Sequence, residues 1–544
     1  MGVLIGGLEV LFGKGDADHA LWLALVRLDI LAFLLCAGLL LAWGVSRRGR
    51  PWAQWTPVDV GLAAGLTALA AALRLAVEPN LSDLGGIGYS RILLGYKGHF
   101  GAAQLYSLLY AHAGRDLEHA VLLNRLASTL TVPLVYGLAR RLTPATRSFA
   151  VIAAALLALH PLHLLFTPTD ALPICTSFLA AASYLLLAIA VDGASTPAWL
   201  RPTAALGAAS GLALLTQVRY ENYAFLLPPA LYLWAQRGAA LRPLWPGAVA
   251  LALLLGAYTL AALGAGSSFQ NPVVWSDVAQ TLGGELRDNP IFATWTMLVG
   301  TAAALLSRRS AVRRWALLPL LAVLPIAAVS GRGHHFARAY VNLVLPLTLM
   351  AGYGLSLLWE ARRWAPRAVV LACLGWSALL PVLFWPTLRE RHLETAEHDF
   401  LRGALATLPP GIDRIIAPDD VRLERETHST IEALNKLRMI AAAVGARVEI
   451  VGMTQYLEHP ETVDCTRGNC ALLAGALCAG LPQYWFAADT CAQALDRHRG
   501  APLAEQEVRA GSFVDCSIYR GAARRQHCDP VRLPRRLGLY RLVD

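Results

Sequence analysis

A single carboxylate, Asp83, stands near the start of a long polar segment that follows an apolar run of membrane-spanning length, 58–77. The segment begins at Glu78, is rich in glycine and extends over about forty residues, far longer than an ordinary connection between helices. A carboxylate in such a place can take the proton of a nucleophilic hydroxyl. We therefore predict that Asp83 is a catalytic base. The alternative is that Asp83 is a solvated loop residue.

Several basic side chains lie in connections that the order of apolar runs places on the same side as Asp83. His334, His335 and Arg338 share the connection 331–340, while Arg219 and Lys97 come from two others. Several cations near one carboxylate suit a reaction with an anionic phosphate leaving group and an acceptor that loses a proton. These five residues are the predicted phosphate ligands. Further candidates on this side are Glu78, Tyr89, Arg91, His99, Arg125 at the start of the third span, Asp170 and Glu221.

Several candidates also have a purely structural interpretation. Arg125, near the end of an apolar run, has the reach to contact lipid phosphate. Arg219 and Glu221 are equally compatible with ion pairs to neighbouring spans. His160 and His163 lie beside a proline at a helix end, where capping of the helix is the simpler interpretation.

The elements that position these residues are predicted to be membrane helices. The chain has 544 residues, 56% of them hydrophobic, and a mean hydropathy of +0.47, which indicates a polytopic membrane protein. Apolar runs predict about twelve spans. Their approximate bounds are 28–46, 57–77, 121–139, 148–166, 171–191, 203–218, 223–236, 244–264, 292–307, 315–330, 341–359 and 368–385.

Arginine sets the predicted orientation. Alternate connections are rich in arginine, from Arg47 and Arg48 near the start to Arg362 and Arg363 near the end, and contain few acidic residues. Such connections are typically cytoplasmic. The first long polar segment, 78–120, and everything after residue 385 are therefore predicted to be external.

Residues 386–544, hereafter the tail, differ from the rest of the chain. Residues 1–385 carry a net charge of +11 and the tail carries −1, so the basic excess is a topology signal and argues against nucleic-acid binding. Strand-like runs at 412–417, 447–452, 484–487, 512–519 and 537–542, with a helix near 421–444, predict an external α/β domain.

Six of the nine cysteines lie in the tail: Cys465, Cys470, Cys478, Cys491, Cys516 and Cys528. An even cluster of this kind predicts disulfides in an oxidising compartment. Zinc binding is the alternative, although no Cys-x-x-Cys pair occurs.

Several short motifs, in this order, resemble the GT-C superfamily of membrane glycosyltransferases, and in particular the branch with protein O-mannosyltransferases and the lipid A aminoarabinose transferase. They are an acidic residue opening the first external loop, then the segments 123–128, 136–142, 158–163 and 338–346. The resemblance covers most of 57–385. The chain departs from many relatives in having Leu84, where they have a glutamate, after the acidic residue. It also has an extra first span, 28–46.

The resemblance implies a sugar donor carried on a polyprenyl phosphate, inverting transfer on the external face, and a loop aspartate that corresponds to Asp83. The predicted organisation is an extra N-terminal span (1–56), a GT-C-like catalytic domain (57–385) and the external α/β domain (386–544). The acceptor is a lipid, a glycan or a protein of the envelope, and a divalent metal is left open. A bacterial inner membrane is the predicted location. The rival hypotheses are a secondary transporter, disfavoured by the lack of an internal repeat, and a non-enzymatic envelope assembly protein.

Overall fold

A computed structural model of the chain shows a bundle of helices followed by a small mixed sheet. The residues that it describes are 16–46, 55–81, 109, 117–143, 146–169, 173–192, 196–218, 220–236, 244–264, 290–307, 337–361, 363–417, 434, 437–438, 440–465, 468–474, 498–508 and 535–543.

Twelve helices of the described part form the bundle. They are α1 (Asp16–Ser46), α2 (Pro57–Ala76), α3 (Leu117–Leu142), α4 (Ser148–Leu159), α5 (Pro161–Phe166), α6 (Pro173–Val191), α7 (Leu200–Val218), α8 (Leu227–Gln236), α9 (Trp245–Gly264), α10 (Thr294–Leu306), α11 (Ala337–Glu360) and α12 (Trp364–Leu383). Short 3-10 turns precede α8 and α10, at Tyr220–Leu226 and Pro290–Phe292.

Helices occupy every predicted span except 315–330, which lies outside the described residues. Within the described part, α1, α2, α3, α6, α11 and α12 are long and apolar enough to cross a membrane. The polytopic helical architecture is therefore confirmed, while the total of about twelve spans stays a prediction.

The bundle is built around α6, whose residues are buried along nearly its whole length. Close approach of neighbouring helices depends on small residues. Between α10 and α11, a Cβ atom on Gly300 or Gly354 would overlap the backbone of the facing helix. Such contacts suit helices in lipid, where dense packing of small residues drives association.

The described connections lie at two ends of the bundle. At one end, which we call the arginine-rich end, Arg141 pairs with Asp192 at 2.6 Å, and the side chain of Arg201 donates to the carbonyl oxygens of Ala190 and Val191. Ser148 donates to Glu360 at the same end. The helix boundaries thus bring together connections that the sequence predicts to share one side of the membrane.

Tryptophans mark the membrane boundary at the arginine-rich end. Trp199, Trp245, Trp364, Trp234 and Trp359 stand at helix termini there, with exposed fractions from 37% to 81%. Exposed tryptophans of this kind are typical of the interface between lipid tails and headgroups. The bundle therefore ends at a membrane surface on this side.

We predict that a reporter fused after Arg389 is external and that one fused at Arg313 is cytoplasmic, because arginine-rich connections are retained in the cytoplasm. Enzymatic reporters that are active on only one side of the membrane measure this directly. Cytoplasmic placement of the Arg389 fusion would contradict the orientation on which the external active site depends.

The tail begins next to the bundle. A short helix, α13 (Trp385–Leu388), comes directly after α12 in the chain, and α14 (Leu393–Ala406) comes next. The strands are β1 (Arg414–Ala417), β2 (Glu449–Gly452), β3 (Cys470–Ala474), β4 (Arg499–Val508) and β5 (Arg535–Leu542), with a short helix, α15 (Met453–Glu458), after β2. Their order in the sheet is β2-β1-β3-β5-β4.

The sheet is mixed and has its own apolar core. β1 pairs in parallel with both β2 and β3, whereas β5 pairs antiparallel with β3 and β4. Ile415, Ile416 and Leu472 are fully buried against α14 and its neighbours. Three of the predicted strands, at 412–417, 447–452 and 537–542, correspond to β1, β2 and β5. The predicted strands at 484–487 and 512–519 lie outside the described residues, as does most of the predicted helix at 421–444.

Cys465 and Cys470 form a disulfide, with their Cα atoms 5.4 Å apart. The prediction of disulfides in the tail is confirmed for this pair; the other four tail cysteines lie outside the described residues.

Thiol labelling of the denatured, unreduced protein should leave Cys465 and Cys470 unmodified, and reduction should make both reactive. Cys175, a free thiol buried in α6, should label after denaturation alone and so serves as the internal control. Free labelling of Cys465 before reduction would contradict both the bridge and an oxidising compartment.

Candidate active site at the tail-side end of the bundle

Several segments that carry predicted site residues meet at the end of the bundle opposite the arginine-rich end; we call it the tail-side end. The chain leaves α2 at Val77, whose carbonyl oxygen accepts a hydrogen bond from Arg125 of α3 at 2.9 Å. The backbone N–H of Asn80 donates to the carbonyl oxygen of Pro168, also at 2.9 Å. Asn124 donates to the carbonyl oxygen of Thr169 at 2.6 Å. The start of the long polar segment is thus tied to α3 and to the 166–169 turn.

A second set of contacts joins the segments that contain Arg219 and Arg338. The side chain of Asn342 in α11 donates to Asn222 at 3.3 Å, and Asn222 in turn donates to Thr176 and to the carbonyl oxygen of Leu215. Arg338 precedes Asn342 by four residues in α11, which places the two on the same face of that helix. By backbone position, Arg338 thus lies one helical turn before the residue of α11 that contacts Asn222.

The tail contributes charged groups to the same end. Arg391 lies 2.7 Å from Glu78, donates to the carbonyl oxygen of Pro79 and also pairs with Asp399. Burial opposes ionisation of Asp399, but hydrogen bonds and charge from His398 and Arg391 outweigh it and lower the pKa of Asp399. These groups are between a third and a half exposed, so they contribute modestly to stability. They do bring an ion-pair network to the first residues of the polar segment.

A buried cation lies beneath this surface. Arg74, in the last turn of α2, is fully buried and donates to Ser128 at 2.5 Å and to the carbonyl oxygen of Ala70 at 3.0 Å. Its third contact, at 3.2 Å, is the Nδ1 atom of His163. Because the guanidinium can only donate, this contact requires a neutral His163 that carries its proton on Nε2. The hydrogen bonds of Arg74 in the described part are thus all to neutral acceptors.

The histidines at 160 and 163 do not cap a helix with their side chains. His160 occupies the N-cap position of α5, but its side chain makes no capping hydrogen bond, and His163 contacts Arg74 and Ser128 instead. The capping interpretation is therefore confirmed for the position of His160 between α4 and α5 and is wrong for His163. Both rings are buried, and His163 serves as an acceptor for the charge of Arg74.

Two predicted candidates have described side chains. Glu78 is part of the Arg391 network and is about one third exposed, at 36%. Arg125 is bound to Val77 through one terminal nitrogen, while its buried Nε has no hydrogen-bond partner in the described part. Arg125 thus packs against the start of the long polar segment.

The remaining predicted residues are only partly placed. Arg338 is in α11 and Glu221 in the 3-10 turn at Tyr220–Leu226, by backbone only. The others lie outside the described residues: Asp83, Tyr89, Arg91, Lys97, His99, Asp170, Arg219, His334 and His335. Among the described residues, no group of three or more His, Cys, Asp or Glu side chains has the arrangement of a metal site.

The structure also identifies residues that the sequence analysis did not single out. The sequence does carry a signal for Arg74, because an arginine inside an apolar run is energetically costly unless it has a role. Asn80, Asn222 and Asn342 had none, since an asparagine near a span end is unremarkable until its partners are known. Arg391 and Asp399 had no signal either, because Arg391 joins its near neighbour Asp399 to Glu78, which lies far away in the sequence.

Comparison with known proteins rests on structure. No family model matches the sequence, and no curated protein matches it. ArnT from Cupriavidus metallidurans in the apo state superimposes with a TM-score of 0.54 over 89% of this chain and 98% of that chain, at 11% identity. The same protein bound to undecaprenyl phosphate gives 0.49 over 90% and 98%, at 12% identity. The oligosaccharyltransferase of Archaeoglobus fulgidus in the apo form gives 0.47 over 82% and 73%, also at 12%.

At these identities the similarity establishes the fold. The chain has a fold similar to that of ArnT, and the resemblance predicted from the sequence is confirmed at the level of the fold.

Proposed function

We propose that this protein is an inverting glycosyltransferase that moves a sugar from a polyprenyl-phosphate donor to an envelope acceptor on the external face of the membrane. The observation that carries the proposal is the convergence, at the tail-side end of a GT-C fold, of the segments preceding Asp83, surrounding Asn222 and beginning α11. A solved neighbour with this fold binds undecaprenyl phosphate.

The chemistry divides into two tasks. A sugar hydroxyl is a poor nucleophile, so its attack on the anomeric carbon needs a carboxylate to accept the proton. Asp83 takes this role, since it follows the anchored residue Leu81 by two positions in the sequence. The bond that breaks leaves its electrons on a phosphate oxygen, and cations stabilise that charge. Arg338 and His335 take this second role, with His334, Arg219 and Lys97.

The acceptor belongs to the proposal only as a class: a lipid, a glycan or a protein of the envelope that presents a hydroxyl. We place the reaction at the outer face of a bacterial inner membrane. That assignment rests on the arginine pattern of the connections and agrees with the disulfide in the tail.

The donor-binding half of the proposal is tested with undecaprenyl phosphate and purified protein in detergent. The phosphate lipid should raise the melting temperature, because a ligand that binds only the folded state stabilises it. Undecaprenol, which lacks the phosphate, is the matched ligand control. Arg338→Ala should weaken binding by roughly 10- to 100-fold, since a charged hydrogen bond contributes about 1.5–3 kcal/mol.

Arg338→Lys should recover part of this loss, because lysine keeps the charge but not the planar fork. Arg367→Ala, an exposed arginine at the opposite end, should bind undecaprenyl phosphate like the unchanged protein. Equal stabilisation by undecaprenol and undecaprenyl phosphate would contradict a phosphate site. Mass spectrometry of envelope glycolipids and glycans from a deletion strain then identifies the missing sugar and its acceptor.

A further inference from the structure

The first residues of the long polar segment are clamped by the tail, and the centre of the clamp is the side chain of Asn80. Its amide nitrogen donates to the carbonyl oxygen of Glu390 at 2.8 Å. Its oxygen accepts from the backbone N–H of His392 and from the hydroxyl of Thr395, both at 2.9 Å. The donor and acceptor atoms of this amide are thus all engaged by residues of the tail.

Thr395 completes the clamp from the other side. Its hydroxyl donates to Asn80 and accepts from the backbone N–H of Leu81 at 2.9 Å, so one hydroxyl binds two successive residues of the segment. The backbone N–H of Glu78 also donates to the carbonyl oxygen of Leu388. The segment therefore runs along the tail for four residues, with a tail partner at Glu78, Asn80 and Leu81.

The residues of the clamp are buried. Asn80, Leu81, His392 and Thr395 are each at most 5% exposed. His392 is the N-cap of α14 and has no side-chain capping bond of its own. Asn80 binds the N-cap backbone N–H, the contact that a glutamate in the first turn makes in a capping box. Buried polar networks whose members are satisfied hold one arrangement, because any shift leaves a desolvated group unpaired.

We infer that the tail positions the catalytic base: Asn80 and Thr395 are positioning residues that fix the chain where it enters the loop of Asp83. The inference rests on the proposed function and deepens it, since it makes residues 388–395 part of the reaction machinery. A base that is displaced by about 1 Å loses on the order of 10²-fold in rate. Because the clamp ends at Leu81, two residues before Asp83, its loss should lower the rate strongly.

Thr395→Val tests the clamp, because valine keeps the shape of threonine and removes the hydroxyl. We expect kcat for sugar transfer to fall by about 10- to 100-fold with KM for the donor nearly unchanged. Thr395→Ser keeps the hydroxyl and should restore kcat to within about threefold of the unchanged protein. Thr407→Val is the matched control, since the hydroxyl of Thr407, just after α14, donates to the carbonyl oxygen of Gly403 and to no other group among the described residues.

A positioning role predicts coupling to Asp83. In an Asp83→Asn background, Thr395→Val should cause little further loss of rate, because the group that it positions is already inactive. The same loss in both backgrounds would overturn the inference and leave the proposed function standing. The inference would also be overturned if Thr395→Val were fully active while Asp83→Asn was inactive. Full activity of Asp83→Asn itself would remove the proposed mechanism and the inference with it.

Asn80→Ala provides a second variant that breaks the clamp without changing the tail. It should reproduce the fall in kcat if Thr395→Val folds poorly. Failure of both variants to fold, as judged by gel filtration and thermal unfolding, would show that the contact serves folding alone and would overturn the inference.

Discussion

Replacing Asp83 with asparagine should lower the rate of sugar transfer by about 10²–10⁴-fold, the usual contribution of general base catalysis. Asparagine keeps the size of the side chain and most of its hydrogen bonding but cannot accept the acceptor's proton. Expression and folding should therefore survive. Binding of undecaprenyl phosphate should also persist, because the base acts on the acceptor and not on the donor phosphate. Steady-state transfer by purified protein measures the effect.

Glu78→Gln is the matched control for this variant. Glu78 is the nearest carboxylate before Asp83, but it is engaged by Arg391 and is partly exposed, so its loss should be the milder one. Normal transfer by Asp83→Asn together with an inactive Glu78→Gln would mean that Glu78 is the base. Full activity of both variants would remove the glycosyltransferase mechanism.

The helical part of the fold was predictable because a membrane helix can be recognised from the apolar composition of its own residues. Apolar runs as different as 57–77 and 368–385 each coincide with a described helix, since every such helix must satisfy its backbone internally and present an apolar surface. Finer features escape this rule. The break between α4 and α5 at His160 falls inside a run that reads as one continuous span.

The strands of the tail show where pattern recognition stops. β3 is buried at all five positions, so it has no alternation that would mark it as a strand. β4 lies at the edge of the sheet and contains Pro502, where its pairing with β5 is irregular. A proline argues against a strand in sequence-based prediction. An edge strand nevertheless tolerates proline, because one side of an edge strand forms no hydrogen bonds to a neighbouring strand.

The candidate site divides in the same way. Charged residues in polar connections were visible in the sequence, because ionisable groups beside membrane spans are costly and conspicuous. The residues that hydrogen-bond to the neighbouring backbone could not be recognised in the sequence. Asn80 and Thr395 are separated by more than 300 residues and acquire meaning only when the tail folds back on the bundle. The sequence thus predicts candidate reactive groups, whereas long-range hydrogen bonds such as that between Asn80 and Thr395 appear only in the structure.

The arginine-rich end has its own buried ionic centre, formed around Asp59 at the start of α2. Asp59 is fully buried and accepts hydrogen bonds from the backbone and hydroxyl of Thr56 in a capping box, and from Tyr136 at 2.9 Å. Arg140 and Arg147 lie 3.1 and 3.3 Å from it. One carboxylate therefore joins the start of α2 to the end of α3 and to the connection before α4.

Asp59→Asn should lower the free energy of unfolding by on the order of 3 kcal/mol, because Arg140, only 5% exposed, would lose its anionic partner in a desolvated place. Urea titration of the protein in mild detergent measures the change. Glu360→Gln, which removes an exposed carboxylate at the same end, is the control and should stay within about 1 kcal/mol. Adding Arg140→Met to Asp59→Asn should cost less than the two single changes together, since the stranded charge is then gone. Equal effects of Asp59→Asn and Glu360→Gln would show that Asp59 does not hold these helices together.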